Sequence, residues 1–162
     1  MDRSSTSRTG LKGRHALLPR LALALLLIAL AAIPARAEDA RIGTIKTLKG
    51  TARVVSGSDS VTAAVGTAVR QNDVVETGDD GALGVTFIDN TTLSLGPRSR
   101  ITLSKVVFNP DKGDFAFVAQ LAKGTFMFVS GSIAKLAPQA VQISTPSATI
   151  GIRGTRFLVK VD

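Results

Sequence analysis

The sequence of 162 residues has no cysteine, no tryptophan and no tyrosine, and it has a single histidine, His15. His15 lies in an N-terminal segment that we expect to be removed, as argued below. These absences exclude Ser-His-Asp and Cys-His catalysis, metal sites built from cysteine and histidine, and a disulfide framework. We therefore expect neither enzymatic activity nor a cofactor.

The first 37 residues have the three parts of a secretory signal peptide. Residues 1–20 carry five basic side chains and one acidic side chain, and Leu21–Ile33 is an uncharged apolar run of 13 residues. Ala35-Arg36-Ala37 then provides a small-x-small cleavage pattern. A membrane-spanning helix needs about 20 apolar residues, so the run is too short for an anchor. We predict cleavage after Ala37, which leaves residues 38–162 in the periplasm or secreted, with no membrane span.

Most of the excess positive charge belongs to this leader. The whole chain has 20 Lys and Arg against 12 Asp and Glu, a formal charge of +8. Six of the basic residues and one of the acidic residues lie in residues 1–37, so the remaining chain has 14 against 11, or +3. Nucleic-acid binding needs a basic stripe, usually with stacking aromatic side chains. We expect no nucleic-acid partner.

After residue 38, apolar and polar residues alternate, as in Leu83-Gly-Val85-Thr-Phe87 and Val141-Gln-Ile143. A period of two is typical of half-buried strands. No stretch of ten residues has a helical stripe, and the nearest candidate, Val118–Lys123, is too short. We predict one compact all-β domain over residues 38–162 with about 10–12 short strands, arranged as a sandwich or as a small β-roll or solenoid.

Turn-forming residues separate these runs at intervals of about 8–12 residues. The candidate turns are residues 56–59, 71–73, 78–81, 89–90, 96–97, 109–113, 130–131 and 145–146. All seven phenylalanines follow residue 38, and we assign them to the core: Phe87, Phe108, Phe115, Phe117, Phe126, Phe128 and Phe157.

Five acidic residues lie within 17 positions, namely Asp73, Glu76, Asp79, Asp80 and Asp89. Oxygen-rich loops of this kind can hold calcium, and paired carboxylates can hydrolyse glycosides. The spacing is not that of an EF-hand, and several of these residues occupy turn positions that favour aspartate for backbone reasons. We therefore predict no metal ligands and no catalytic residues among them.

Four arginines are the best candidates for a partner surface. Arg98 and Arg100 are expected to share one face of an extended segment, and Arg153 and Arg156 flank a Gly-Thr pair. Their guanidinium groups are suited to a carboxylate, a phosphate or an acidic polysaccharide. Alternatively, these side chains are solvated and protect strand edges from aggregation.

Three segments in a fixed order resemble the FecR domain family. They are Gly43–Gly50 with the Val65–Gly78 block, Ala82–Leu103, and Ile143–Phe157. The last contains a Thr-Pro-x-Ala run followed by Arg-Gly-Thr-x-Phe. This closing signature consists of Thr145, Pro146, Arg153, Gly154, Thr155 and Phe157. From the residues themselves, we expect Pro146 to stand at a strand start or edge, and Gly151 and Gly154 to permit a close backbone approach or a bulge. Together these residues are expected to shape a turn into the last strand.

The resemblance implies an all-β domain outside the cytoplasm. In the name-giving members it follows a membrane helix and a cytoplasmic anti-sigma segment, and it receives a signal from an outer-membrane receptor. We expect this chain to lack those parts, so only the fold and the compartment are carried over.

The main hypothesis is an exported, non-catalytic domain that binds a protein or a cell-envelope polymer, in envelope sensing or signalling. One alternative is a structural module that self-associates through strand edges, and another is an envelope hydrolase that uses only Asp and Glu. The sequence leaves the partner and the oligomeric state open.

Overall fold

The alternating apolar runs form β-strands with buried inward side chains. The computed structural model describes residues 41–152 and 156–162, and this part of the chain is an all-β domain whose sheet curls into a half-barrel. The strands are β1 Gly43–Lys49, β2 Ala52–Ser56, β3 Asp59–Thr62, β4 Ala68–Val69, β5 Val74–Thr77, β6 Ala82–Phe87, β7 Thr92–Leu95, β8 Arg100–Asn109, β9 Asp114–Val129, β10 Val141–Ser144, β11 Thr149–Gly151 and β12 Arg156–Val161. The described residues also form one helix, α1 (Ser132–Leu136), and two 3₁₀ turns, Pro110–Lys112 and Pro138–Ala140. The prediction of an all-β domain is confirmed.

The strands form one continuous sheet in the order β3-β2-β5-β8-β9-β7-β6-β1-β4. In addition, β10 and β12 pair with β9, and β11 pairs with β10. Of the strand pairs in the described residues, only β9 with β10 is parallel. Stacked parallel rungs, one of the arrangements that the sequence left open, are not formed. Instead, β6 and β7 make an antiparallel hairpin, and β8 lies on the other side of β9.

The longest strand, β9, connects the two halves of the sheet. Its first part pairs with β8 and β10, and its last part pairs with β7 and β12. Phe117, Ala119 and Leu121 are buried in the first part, whereas Phe126 and Phe128 are buried in the last part. The buried positions change from odd to even numbers. Since side chains alternate between faces, the ladder must be interrupted between Leu121 and Phe126.

A β-bulge and a glycine provide this interruption. Arg100 of β8 faces Lys123 and Ile101 faces Leu121, so Ala122 has no partner on β8. Gly124 follows with a φ of +94°. Bulges bend a strand and redirect its side chains. As a result Lys123 is exposed, although regular alternation from Leu121 would turn it inward.

Phenylalanine rings line the interior on both sides of this bend. Phe117 packs edge-on against Phe87 and Phe128, with ring centroids 5.0 and 5.2 Å apart. Phe157 stacks on Phe128 at 5.2 Å and meets Phe126 edge-on at 5.8 Å. Phe108 and Phe115 are half-buried and pack against the same core. The assignment of all seven phenylalanines to the core is confirmed.

Helix α1 was not expected, and its position depends on a buried aspartate from a distant turn. Asp89 is fully buried; its Oδ2 accepts hydrogen bonds from the Thr91 hydroxyl at 2.7 Å and from the Ile133 amide at 3.1 Å. The Ser132 amide donates to the Asp89 carbonyl at 2.8 Å. These groups satisfy amides at the start of a helix whose own N-cap residue, Gly131, makes no side-chain cap.

The predicted turns lie between strands, except for residues 130–131, which lead from β9 into α1. Gly57, Asn72, Asn90 and Gly113 have positive φ values of 59°, 64°, 64° and 65°, as their turn positions require. By contrast, Val118–Lys123, the nearest helical candidate, belongs to β9.

Candidate functional site

Three basic side chains and one carboxylate lie side by side on four neighbouring strands. Arg53 on β2 faces Glu76 on β5, Glu76 faces Arg100 on β8, and Arg100 faces Lys123 on β9. We call these four residues the charged row. Arg53, Arg100 and Lys123 are exposed, and their strand neighbours Ala52, Val54 and Ile101 are buried, so the row lies on the outer face of the sheet.

Glu76 is shared between two guanidinium groups. Its Oε2 accepts from Arg53, and its Oε1 accepts from Nη1 of Arg100. The Glu76 side chain is only 14% exposed, whereas the side chains of Arg53 and Arg100 are 59% and 49% exposed. Each guanidinium group has five N–H donors, so both arginines retain donors that face solvent.

Lys123 has no such partner. Among the described residues, no carboxylate lies within ion-pair distance of its Nζ. Like charges directly opposite each other on antiparallel strands destabilise the pairing. The Arg100–Lys123 pair is therefore an arrangement that the fold itself does not favour.

The charged row borders an open cavity of about 570 Å³. Its other lining residues are small and polar: Thr51, Thr62, Thr77, Gly78 and Ser99, beside the buried Ala52. A second cavity of about 480 Å³ shares Lys123 with the first and is bordered by Arg98, Lys160 and Asp162. We call the charged row together with Arg98 and Lys160 the basic surface. It carries five cations; Glu76 lies between two of them, and Asp162 pairs with Lys160 at 2.8 Å.

The Arg98 backbone adopts a conformation that arginine rarely takes. Its φ is +50°, and its amide donates to the Gly78 carbonyl at 3.0 Å. Left-handed backbone costs a residue other than glycine about 1–2 kcal/mol. The side chain is 76% exposed, with Asp79 4.0 Å away. Glycine or asparagine would fit this turn at lower cost, so an arginine here is better explained by its charge than by the turn.

The structure brings together two of the four predicted surface arginines. Arg98 and Arg100 lie on either side of the buried Ser99 and border cavities that share Lys123. Arg98 is in a turn, not in the extended segment that the sequence predicted. Arg156 faces Val129 at the far end of β12, five residues or about 16 Å from the end that meets Gly124. Its Nε lies 3.2 Å from Sδ of Met127, and Arg153 lies outside the described residues.

Three of the five acidic residues that the sequence singled out, Asp73, Asp80 and Asp89, accept hydrogen bonds from backbone amides and hydroxyl groups. The other two, Glu76 and Asp79, lie beside arginines. Asp73 accepts from the Ser56 hydroxyl and from the Arg70 amide at 2.7 Å. Asp80 accepts from the hydroxyl and amide of Thr51 at 2.9 and 3.2 Å, and these hydrogen bonds hold the pKa of Asp80 below its ordinary value. Within the two described ranges, no three acidic or histidine side chains come together as a metal-binding group.

The closing signature lies beside β10 and β11 as far as it is described. Thr145 and Pro146 form the turn between these strands, and the Thr145 hydroxyl accepts from the Ala148 amide at 3.1 Å. A Cβ at Gly151 would meet nothing within 4 Å, so the close backbone approach expected there does not occur. Phe157 packs on Phe128, and Gly154 and Thr155 lie outside the described residues.

Comparison with known protein families gives one match. A family described as "FecR protein" matches residues 73–162, which is more than half of the chain. The chain belongs to the FecR family. The match includes Glu76, Arg98, Arg100, Lys123 and Lys160 of the basic surface, and only Arg53 of this surface precedes it. No curated protein and no solved structure matches this sequence.

The FecR match confirms the resemblance seen in the second and third segments, while Gly43–Gly50 precedes the matched range. The FecR family is one of signalling and sensing proteins, not of enzymes, and its members are generally periplasmic or membrane-associated. In the described part of this FecR domain, no helix has the length and apolarity to cross a membrane.

Sequence reasoning missed Arg53, Glu76 as an ion-pair partner, and Lys123. Arg53 and Glu76 are 23 residues apart in sequence, and Glu76 and Arg100 are 24 apart. Only the strand order β2-β5-β8-β9 of this FecR domain brings them together. One usable signal was the charged residue placed between two apolar ones in Ala52-Arg-Val54.

Proposed function

We propose that this FecR domain is an exported, non-catalytic binding domain that contacts a protein or polymer of the cell envelope through its basic surface, in a sensing or signalling role. The observation that carries this proposal is the charge imbalance in one place. Five exposed cations border two adjoining cavities. The same cavities are lined by two carboxylates, Glu76 between two arginines and Asp162 beside Lys160. Clefts lined by one sign of charge attract ligands of the opposite sign.

Family membership and the leader support the cellular setting. The FecR family functions in signalling and sensing at the envelope. The first 37 residues have the composition of a secretory signal, so we place the domain in the periplasm or outside the cell. There the basic surface would meet the acidic groups of envelope polymers and proteins.

The experiment compares two double variants of the protein isolated from cells that express the full chain. Arg98→Ala with Arg100→Ala removes two charges from the basic surface. Lys46→Ala with Lys135→Ala removes the same charge from exposed positions on β1 and α1. Each immobilised protein is exposed to envelope extract, and the retained protein and polysaccharide are measured. We expect the arginine variant to lose most of its retention and the lysine variant to keep it, with matching melting temperatures. Equal retention by the two variants would refute the proposal.

Self-association is a second candidate function, and exposed apolar residues on edge strands favour it. In the described ranges β3 pairs only with β2 and β12 only with β9. Val61 on β3 is 52% exposed and Leu158 on β12 is 67% exposed. Unpaired edges with apolar side chains promote strand-to-strand association. Light scattering over a range of concentrations tests it: a rising mass that Leu158→Lys abolishes would support self-association, and a constant monomer mass would eliminate it.

A further inference from the structure

The charged row places two like charges opposite each other, and of these two only Arg100 has a counter-ion, Glu76, among the described residues. Arg100 and Lys123 are directly opposite on β8 and β9, and Glu76 lies on the other side of Arg100. The bulge at Ala122 is what places Lys123 beside Arg100. An anion between the two side chains would convert an unfavourable pair into two charge-assisted hydrogen bonds.

Glu76 limits which anions can bind there. Its carboxylate already occupies one side of both arginines and repels any incoming negative charge. A single small anion gains little from a site that is half neutralised. An anion attached to a chain gains more, because further anionic groups on the same chain reach the second cavity. There they meet Arg98, which is 76% exposed, and Lys160 beside its ion-pair partner Asp162.

The lining of the two cavities favours a glycan over a protein. Protein interfaces usually have an apolar or aromatic centre that carries most of the affinity. The first cavity has only hydroxyl, glycine and charged side chains around the buried Ala52, and no aromatic side chain lines either cavity. Without an aromatic platform, neutral sugars lack a stacking surface, so the charge of the ligand must provide the recognition.

We propose that the basic surface binds a polyanionic glycan, with one phosphate or carboxylate group held between Arg100 and Lys123 and with Glu76 as the residue that selects against single anions. This inference rests on the proposed function and names the ligand class of the same site. Phosphate and carboxylate share the required chemistry, and the probes below distinguish them.

The first test is isothermal titration calorimetry with polygalacturonate, a phosphorylated mannan, neutral dextran and inorganic phosphate. We expect one or both charged polymers to bind, and dextran and inorganic phosphate to show no measurable affinity. Lys123→Ala should weaken polymer binding about tenfold, since it removes one charge-assisted contact. Lys105→Ala is the matched control, because it removes the same charge from an exposed position five residues along β8 from Arg100. Equal weakening by both variants would mean non-specific attraction and would overturn the inference.

The second test uses a variant that we expect to bind the anionic ligand more tightly instead of more weakly. Glu76→Gln frees both arginines and should tighten polymer binding by several-fold and make inorganic phosphate binding measurable. Asp111→Asn changes the net charge equally at an exposed position in a 3₁₀ turn, and it should leave both affinities unchanged. If the two variants behave alike, Glu76 does not select the ligand. Should Glu76→Gln fail to fold, the Lys123 and Lys105 pair decides the outcome, because both side chains are exposed.

The outcomes separate this inference from the proposed function. If neither charged polymer binds, but an envelope protein is retained in an Arg98- and Arg100-dependent way, the basic surface is a protein-binding site and the glycan inference is wrong. If the Arg98→Ala, Arg100→Ala double variant retains as much envelope protein and polysaccharide as the unmodified protein, both proposals fail. Binding of polygalacturonate alone or of the phosphorylated mannan alone identifies the anionic group.

Discussion

At the scale of single residues, Gly124 decides how β9 passes from one half of the sheet to the other. Its φ is +94°, and a Cβ built there would lie 2.4 Å from Cα and 2.2 Å from Oγ of Ser99. Ser99 cannot move away easily, because its Oγ accepts from the Thr125 amide at 3.0 Å and its amide donates to Oγ1 of Thr77 at 2.8 Å. Both the backbone conformation and the space therefore require glycine.

We predict that Gly124→Ala lowers the free energy of unfolding by at least about 2 kcal/mol, from backbone strain and overpacking together. Gly66→Ala is the control, since Gly66 has the same φ of +94° but has nothing within 4 Å of its Cβ position. Urea denaturation of both variants measures the difference. The clash with Ser99 predicts a larger loss at Gly124, and equal losses would show that only the backbone conformation matters.

Asp80 connects the turn after β1 with the turn before β6. Its carboxylate accepts two hydrogen bonds from Thr51, and its main chain passes so close to Gly50 that a Cβ there would lie 2.3 Å from the Asp80 carbonyl oxygen. The hydrogen bonds from Thr51, chiefly the one from its hydroxyl, lower the pKa of Asp80. The ionised carboxylate is thus the form that stabilises the fold.

Because the pKa of Asp80 is lower in the folded protein, the stability that this residue contributes must decrease as the pH falls. The contribution of Asp80 is fully present above the unfolded pKa, near pH 4, and is lost as the pH falls through the lower folded pKa. We predict that the melting temperature of Asp80→Asn falls less steeply than that of the wild type between about pH 4 and pH 2. Thr51→Ala removes the main donor and should give the same shallower profile. Unchanged slopes in both variants would contradict this assignment.

Turn residues show what local sequence predicts well. Asn72 and Asn90 have positive φ at positions where the sequence predicts turns, because asparagine tolerates this conformation at low cost. Arg98 has a positive φ that no local rule predicts. Its conformation follows from tertiary hydrogen bonds between its turn and the residues around Gly78.

At the scale of elements, the strands were predictable and their partners were not. Leu83-Gly-Val85-Thr-Phe87 has a clear period of two and forms β6 with all three apolar side chains buried. The alternating pattern does not indicate which strand pairs with β6 or with any other strand. The pairing of β2, β5, β8 and β9 is what brings the residues of the charged row together. Helix α1 was missed for a similar reason, since five residues are too few for a periodic signal and the Asp89 carboxylate comes from 44 residues away.

The last strand, β12, pairs with β9 and packs Phe157, Val159 and Val161 against the core, and Phe157 is the largest of these side chains. This half-buried ring stacks on Phe128 at 5.2 Å and contacts Phe126 edge-on. We predict that Phe157→Ala lowers the free energy of unfolding by about 2 kcal/mol, less than a fully buried phenylalanine would. Leu158→Ala should change it by no more than about 0.5 kcal/mol, because Leu158 is 67% exposed. Equal effects in a thermal denaturation series would mean that the Phe157 ring contributes no more to stability than an exposed side chain of the same strand.

At the scale of the whole molecule, the sequence predicts that the exported protein differs in charge from the complete chain. Removal of residues 1–37 would lower the formal charge from +8 to +3. We predict that protein recovered from the periplasm or culture medium begins at Glu38, as determined by intact mass and N-terminal sequencing. A mass equal to that of all 162 residues would show that the leader is retained.

Because β9 contributes backbone to both halves of the sheet, neither half can lose its ladder without exposing the amides of the same strand. We therefore expect native-state hydrogen exchange to show that the core strands of the domain unfold as a single cooperative unit. The slowest amides of β8, on one side, and of β7, on the other, should exchange with the same opening free energy, equal to that of global unfolding. If the exchange data confirm this, neither half opens separately to transmit a bound state, and a signal would travel by rigid-body displacement or by the surface loops.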